Sequence, residues 1–412
     1  MTSAAVIGGG ILGACLALQL QDAGHAVTII EPGAPGGTQA ASYGNAAWLS
    51  PASVIPPSMP GLWRKLPGFL RDPLGPVSIR PRRLPAAAPW LVRYLLSGWT
   101  EAQVRRTASV LRTLLEDAPA RHAALAAAAG RPDLIRQDGL LYTFPDRRAF
   151  DAEALAWRIR AEVGVRWEEL DAPLLREAEP DLSPRYGFAA LVGQGGHCRN
   201  PGGYVAALFA LAEARGAQRV AARASGFRIE GGRLRAVRTD AGELPAERAV
   251  VAAGVHSAPL ARDVGHRIPL ESERGYHAVF PSPCIAPRRP IMPSDGKMGI
   301  TLTEGGLRVA GQVEIAGLDA APDWRRAEIL AQRLRAIFPA LQGEGGQVWM
   351  GHRPSTPDGL PVIGPARACA DVWLCFGHGH VGLASAPASA AMAVAGMRGA
   401  PVPPAFAPAR LG

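Results

Sequence analysis

The sequence predicts an α/β protein in two parts, and three observations predict it. An apolar strand, a glycine-rich turn, a helix and a second strand follow one another over residues 4–31, the βαβ unit of a Rossmann-like domain. After a helix at 202–216 come short alternating segments punctuated by glycine pairs, and glycine pairs suit hairpin turns. Residues 268–315 again read as β, which makes the second part an α+β domain built on an antiparallel sheet. A chain of 412 residues has room for two domains or three.

In the first unit Gly8, Gly10 and Gly13 form G-x-G-x-x-G between strand and helix, and Glu31 closes the second strand. Glycines there permit the tight turn, the approach of backbone to a pyrophosphate and close helix-strand packing, while the acidic residue can accept from ribose hydroxyls. A glycine triplet alone is weak, but this one stands in its full structural context, so a dinucleotide site is expected. The pattern by itself does not choose NAD over FAD.

Further along, residues 52–99 are rich in Pro, Trp and Arg and read as an insertion that covers something. Residues 100–130 are helical in pattern, 137–145 a strand and 150–164 a helix. Near the C-terminus "GHRPSTPDGLPVIGP", residues 351–365, holds one Arg and one His among Gly and Pro, and reads as a rigid irregular loop presenting Arg353. The last segment is a strand, the turn "GHGHVGL" and a helix starting near Ala384, whose positive end would face whatever lies before it.

Composition narrows the function. The net charge of +9 comes almost wholly from Arg, with Lys65 and Lys297 the only lysines, and it is scattered rather than clustered, so no nucleic acid partner is expected. Five cysteines without a C-x-x-C pair suggest neither a disulfide framework nor a zinc cluster, and point to a reducing, cytoplasmic setting. The apolar N-terminus lacks a basic n-region and does not read as a signal peptide. His378 and His380, with His352, invite a metal reading, but no acidic residues accompany them, so no metal is expected.

The motifs "VIGGGILGACLALQL", "ASYGNAAWLSP", "WLVRYLLSG", "VVAAGVHSAPLA", "ERGYHAVF", "GLRVAGQVEIAGLD", "GHRPSTPDGLPVIGP" and "FGHGHVGLASAPASA" span nearly the whole chain. Together they resemble the FAD-dependent D-amino-acid dehydrogenases of the D-amino-acid oxidase and glycine oxidase superfamily. The resemblance implies a Rossmann-like FAD-binding domain from 1–51, 195–266 and 350–412, with a substrate domain from 52–194 and 267–349. It implies that Gly8, Gly10, Gly13 and Glu31 hold the ADP half of FAD, and that Ser42, Tyr43, Gly44 and Asn45 lie beside the isoalloxazine. Val220 would contact the adenine end through its backbone, Gly254 would lie beneath the pyrophosphate, and His380 and Gly382 would form the turn against the flavin. Arg353 matches the arginine that binds the substrate carboxylate in relatives. Two departures stand out. Glycine oxidases carry Arg where this chain has His380, and sarcosine-type oxidases carry a flavin-linked cysteine where it has Gly351, so the FAD is expected to be non-covalent.

The activity so implied is oxidation of a D-amino acid, or of a cyclic imino acid such as D-proline or hydroxyproline, with electrons passing to a quinone or another non-oxygen acceptor. Such chemistry needs positioning more than acid-base groups. Arg353 would fix the carboxylate, and Tyr276 or His277 could add a hydrogen bond or accept a proton, although Tyr276 also fits a packed strand position. The alternatives are a sarcosine- or glycine-type secondary amine oxidase and a flavin-binding subunit without turnover. For 52–99 two readings stand: a lid, or an interfacial surface in which Trp63, Phe69, Trp90 and Trp99 interleave with Arg64, Lys65, Arg71, Arg82, Arg83 and Arg93 against the inner membrane.

Overall fold

The structure, a computed structural model, describes residues 2–411 apart from 73 and 344, and the side chains of Lys65, Leu66 and Leu70 lie outside the described set. The first strand, Ser3–Ile7, sits inside a six-stranded sheet between Ala26–Ile30 and Arg248–Val251, parallel to both. Gln218–Val220 and Val372–Phe376 extend the sheet in parallel on either side, and Val362–Pro365 closes one edge antiparallel. Apart from the exposed edge strand Gln218–Val220, these strands are near-continuous apolar runs because both faces are covered. Ala4 and Val6 face one core with helices Ile11–Asp22, Pro201–Ala214 and Gly382–Met397, while Ala5 and Ile7 face the other with Phe227, Leu234 and Leu260. The glycine-paired segments form a three-stranded antiparallel sheet, Ala224–Glu230, Arg233–Thr239 and Gly242–Pro245, over that second face.

A second, nine-stranded sheet holds Gln347–Ser355 at one edge, then Glu271–Phe280, Gly306–Ile315 and Gly299–Thr303, each antiparallel to the next. Helix Arg325–Ile337 covers its back, where Leu330, Leu334 and Ile337 meet Ala278, Phe280 and Val309. The architecture is the expected pairing of a Rossmann-like domain with an α+β domain on a largely antiparallel sheet.

Local assignments differ in three places. Residues 351–355 are not loop: they end the edge strand Gln347–Ser355, paired through Glu271↔Ser355 to Val279↔Gln347. Pro354 is tolerated because an edge strand leaves one row of N–H groups unpaired. The same strand carries residues 350–355 within the large sheet rather than the nucleotide-binding part. Helices Glu101–Leu115 and Ala118–Ala128, expected with the substrate domain, pack Val104, Leu111, Leu115 and Ala126 into the core of helices Ile11–Asp22 and Gly382–Met397.

Candidate active site

The glycine turn is built for close approach. Gly8 has φ of +122°, and a Cβ on it would lie 2.3 Å from the Ala252 carbonyl oxygen; one on Gly13 would lie 1.9 Å from the Gly8 oxygen. A Cβ on Gly10 would meet only Ser42 Oγ, at 3.3 Å. Helix Ile11–Asp22 begins at Gly10 without a side-chain cap, and Ser42 Oγ accepts the Ile11 N–H at 3.0 Å. Its remaining N-terminal donors and its dipole suit a pyrophosphate. Glu31 is fixed at the strand end, Oε2 accepting from Gly9 N at 2.6 Å and Oε1 from Gly33 N at 3.0 Å, so each oxygen keeps acceptor capacity for a ribose hydroxyl. The Glu31 N–H donates to the Val220 oxygen at 3.1 Å, and Val220 pairs with Ile30 on the edge strand. Gly254, at φ of +56°, opens the turn that follows Arg248–Val251. These residues fit a dinucleotide cofactor.

The other half of the site lies on the front of the large sheet. Strand alternation puts Glu273, Gly275 and His277 on one face, and the register aligns them with Arg353, Gly351 and Trp349. A Cβ on Gly275 would lie 2.2 Å from Arg353 Nη2 and 2.3 Å from Cζ, so the guanidinium rests directly over that glycine. Arg353 Nη1 donates to the Gln312 oxygen at 2.9 Å and Nη2 to the Gly311 oxygen at 3.4 Å. Gln312 has φ of +63° at a register irregularity, which frees its carbonyl from the ladder. Burial lowers the Arg353 pKa below the usual guanidinium value, opposed by the nearby Glu273.

Glu273 is itself buried. Its Oε2 accepts from Ser355 Oγ at 2.7 Å and from His380 Nε2 at 2.8 Å. Burial pushes its pKa up, but His380, Ser355 and Arg353 outweigh that and hold it below the ordinary carboxylate value. His277 donates Nδ1–H to the Gly44 oxygen at 3.2 Å, and its ring stacks on Trp349 with centroids 5.3 Å apart. Burial first, and Arg308 second, pull His277 down to about 4, so the ring is neutral at physiological pH. Tyr43 leans on both rings, at 6.4 Å from His277 and 6.1 Å from Trp349. Arg308 holds the 43–45 turn by donating to the Tyr43 and Asn45 oxygens at 3.1 and 3.0 Å. Asn45 Oδ1 accepts the N–H of Ala47, whose φ is +68°.

Tyr276 is the correction. Adjacent strand residues point to opposite faces, so Tyr276 faces the back of the sheet. There its hydroxyl donates to Glu314 Oε2 at 2.7 Å and accepts the Asp323 N–H at 3.1 Å. It is a buried core residue away from Arg353, and not part of this constellation. His378 is also buried, bonded through Nε2 to Ser389 Oγ at 3.0 Å and pulled down to about 3 by desolvation alone. His352 bonds Ser272 Oγ at 2.8 Å. Among the described residues no group of three or more His, Cys, Asp or Glu could hold a metal ion. Gly382 begins the helix Gly382–Met397, two residues after His380.

Sequence reasoning missed Glu273, Ser355, Arg308 and Trp349. The alternation in "ESERGYH" carried a signal for Glu273, since it shares a face with His277. It also left open the covering segment, helix Leu84–Ser97. Trp90 in that helix is buried, donates Nε1–H to the Ser355 oxygen at 3.1 Å and stacks on Tyr94 at 4.9 Å. The Tyr94 hydroxyl is pushed above its ordinary value by burial and then by the nearby Glu273 charge. Part of 52–99 thus lies over the Glu273 side of the site, while Trp63, Val92, Leu96 and Trp99 stay exposed. The side chain of Lys65 is outside the described set. No helix of the described residues is long and apolar enough to cross a membrane.

Fold and site are those of an α/β protein in which a glycine turn that fits a dinucleotide accompanies an antiparallel sheet bearing a positioned guanidinium. Residues 3–395 match the DAO family, described as FAD dependent oxidoreductase, and the chain belongs to it; FAD is the cofactor this implies for the glycine cradle. Among its relatives is a protein of Bradyrhizobium diazoefficiens named D-amino-acid oxidase, 54% identical over 92% of this chain and 91% of that protein. A D-amino acid dehydrogenase of Cereibacter sphaeroides is 32% identical over 93% and 89%. Solved structures of similar fold include the glycine oxidase of Bacillus cereus, with a TM-score of 0.71 at 20% identity, covering 97% of this chain and 95% of that one. The L-proline dehydrogenase of P. horikoshii has a TM-score of 0.72 at 19% identity, covering 99% and 97%.

Proposed function

We propose that this FAD-dependent enzyme oxidises D-amino acids, cyclic imino acids such as D-proline and hydroxyproline included, to the imine. The observation that carries the reading is the Arg353 guanidinium, seated over Gly275 on the sheet face it shares with Glu273 and His277. A guanidinium held in a largely desolvated place binds a carboxylate more strongly than one at the surface. The 54% identity to a protein named D-amino-acid oxidase supports the D-amino acid as substrate. When bound, FAD would supply the two-electron acceptor for the Cα–H bond. The chain's task is orientation: Arg353 grips the carboxylate and thereby aims Cα, while Trp90 and Tyr94 cover the pocket and exclude water.

Gly351 offers no thiol for attachment, which supports non-covalent FAD; acid precipitation should release all flavin to the supernatant. The reading is tested with a panel of D- and L-amino acids, sarcosine and glycine, followed by dye reduction and by oxygen uptake. Turnover of D-amino acids with dye and without oxygen uptake marks a dehydrogenase using a quinone-like acceptor, and oxygen uptake marks an oxidase. Preference for sarcosine or glycine replaces the reading with a secondary amine oxidase, and no turnover on any substrate leaves a flavin-binding subunit. The exposed Trp63, Val92, Leu96 and Trp99 beside Arg64 and Arg93 support peripheral contact of the lid's outer face with anionic lipid. Absence of co-sedimentation with anionic vesicles at low and high salt removes that contact and leaves a lid alone.

A further inference from the structure

Resting on the reading above, we infer that Glu273 is a positioning residue that holds His380 with its Nδ1 lone pair free, and that Nδ1 takes the proton a substrate ammonium must lose before its Cα–H bond can break. An α-ammonium group has no electron pair to form the C=N bond. One N–H bond must break first, its pair staying on nitrogen and its proton passing to a base. The flavin chemistry proposed above supplies no such base, and among the described residues the site has few candidates: His277 donates its Nδ1–H to Gly44, and burial pulls its ring down to about 4, which leaves its Nε2 a poor base.

His380 has the required arrangement. An ionised carboxylate carries no hydrogen, so the 2.8 Å contact between Glu273 Oε2 and His380 Nε2 fixes the ring proton on Nε2. In the neutral ring Nδ1 is then the acceptor. Among the described residues Nδ1 has no hydrogen-bond partner, and the His380 side chain is 41% exposed, which gives the proton a way out to solvent. Glu273 is in turn braced by Ser355 Oγ at 2.7 Å, and Ser355 by Trp90. A bridge between Ser355 and His378 ties the turn that carries His380 to the same strand. Arg353 pairs in register with Glu273, so the carboxylate grip and the support of the base sit on neighbouring positions of adjacent strands. That spacing suits an α-amino acid, whose carboxylate and ammonium share one carbon.

Among the described residues, the charged and titratable groups coupled to this pair are Arg353 from the edge strand and Tyr94 from the covering helix, with His378 tied to Ser355 behind the turn. Burial keeps the Tyr94 hydroxyl protonated and the His378 ring neutral. Glu273 is therefore the anion that balances an imidazolium formed at His380. The substrates so defined have a basic α-nitrogen, primary or secondary. N-acyl amino acids, whose nitrogen has no basic pair, are excluded.

The experiment uses the FAD-loaded enzyme with Glu273→Gln, Glu273→Leu and His380→Gln. Two readouts are compared: kcat/KM at neutral pH, and nitrogen-15 spectra of the histidine rings, which report the tautomer without turnover. The wild-type His380 ring is expected as the Nε2–H tautomer. Glu273→Leu should give a tautomer mixture. Glu273→Gln, which keeps an acceptor but loses the charge, should retain the tautomer and lower kcat/KM by about tenfold or more. His380→Gln should lower kcat/KM by about 10²- to 10⁴-fold. A wild-type Nδ1–H tautomer, or kcat/KM unchanged in both Glu273→Gln and His380→Gln, overturns the inference. If no amino acid reduces the flavin, the functional reading fails instead, while the ring spectra still decide whether Glu273 sets the His380 tautomer.

Discussion

Replacing Gly275 with alanine moves the Arg353 guanidinium without removing its charge. The new Cβ would stand 2.2 Å from Nη2, 2.3 Å from Cζ and 2.6 Å from Nη1. Ordinary contact begins near 3.4 Å, so the guanidinium must retreat by about 1 Å, stretching its bonds to the Gln312 and Gly311 oxygens. The atoms displaced are the far end of a flexible side chain, and alanine in a strand recovers about 0.5–1 kcal/mol of backbone entropy relative to glycine. Folding should therefore be little affected. A misplacement of about 1 Å in a positioning group costs up to about 10²-fold in rate, or about 2.7 kcal/mol of transition-state stabilisation. The assay is kcat/KM for the best D-amino acid, with Tm and flavin content alongside. In an Arg353→Ala background Gly275→Ala should cost almost nothing more, because both changes act on one grip. A Gly275→Ala enzyme within threefold of wild type, or additive losses in the double variant, would refute the placement of Arg353 as the carboxylate clamp.

Three further outcomes are expected. Arg353→Ala should lower kcat/KM by about 30- to 5000-fold for an amino acid but much less for the decarboxylated amine, with lysine recovering only part; it should also lower stability by about 2 kcal/mol, since Gln312 and Gly311 lose a charged donor. Gly10→Val should fold but purify without flavin absorbance, because a side chain there meets only Ser42 Oγ and otherwise projects into the cradle. Buried His378, held down to about 3, stays neutral in the folded protein while its unfolded counterpart protonates near 6.5. The unfolded state thus binds more protons between those values, and stability falls as pH drops through that window with a slope of about 1.4 kcal/mol per pH unit from this residue. Urea unfolding at several pH values should show a shallower slope for His378→Gln; an unchanged slope would refute the assignment.

The sequence by itself determined the βαβ unit and the cradle, because those depend on local rules. Gly8 must be glycine where φ reaches +122°, and Gly13 where helix meets strand, so spacing along the chain is enough to read them. It also indicated that Arg353 matters. What surrounds Arg353 was settled only by tertiary structure. "GHRPSTPDG" has the composition of a loop, but its first half is drawn into an edge strand because Glu271–Phe280 offers a free ladder that no local propensity reports. Tyr276 and His277 stand next to each other in sequence, and only the choice of which sheet face meets helix Arg325–Ile337 sends the first into the core and the second toward Tyr43. Glu273 and His380 are 107 positions apart and meet at 2.8 Å, as Trp90 and Ser355 meet across 265. Contacts at such separations depend on how the two sheets and the covering helix come together, and a pattern of residues along one chain does not carry that information.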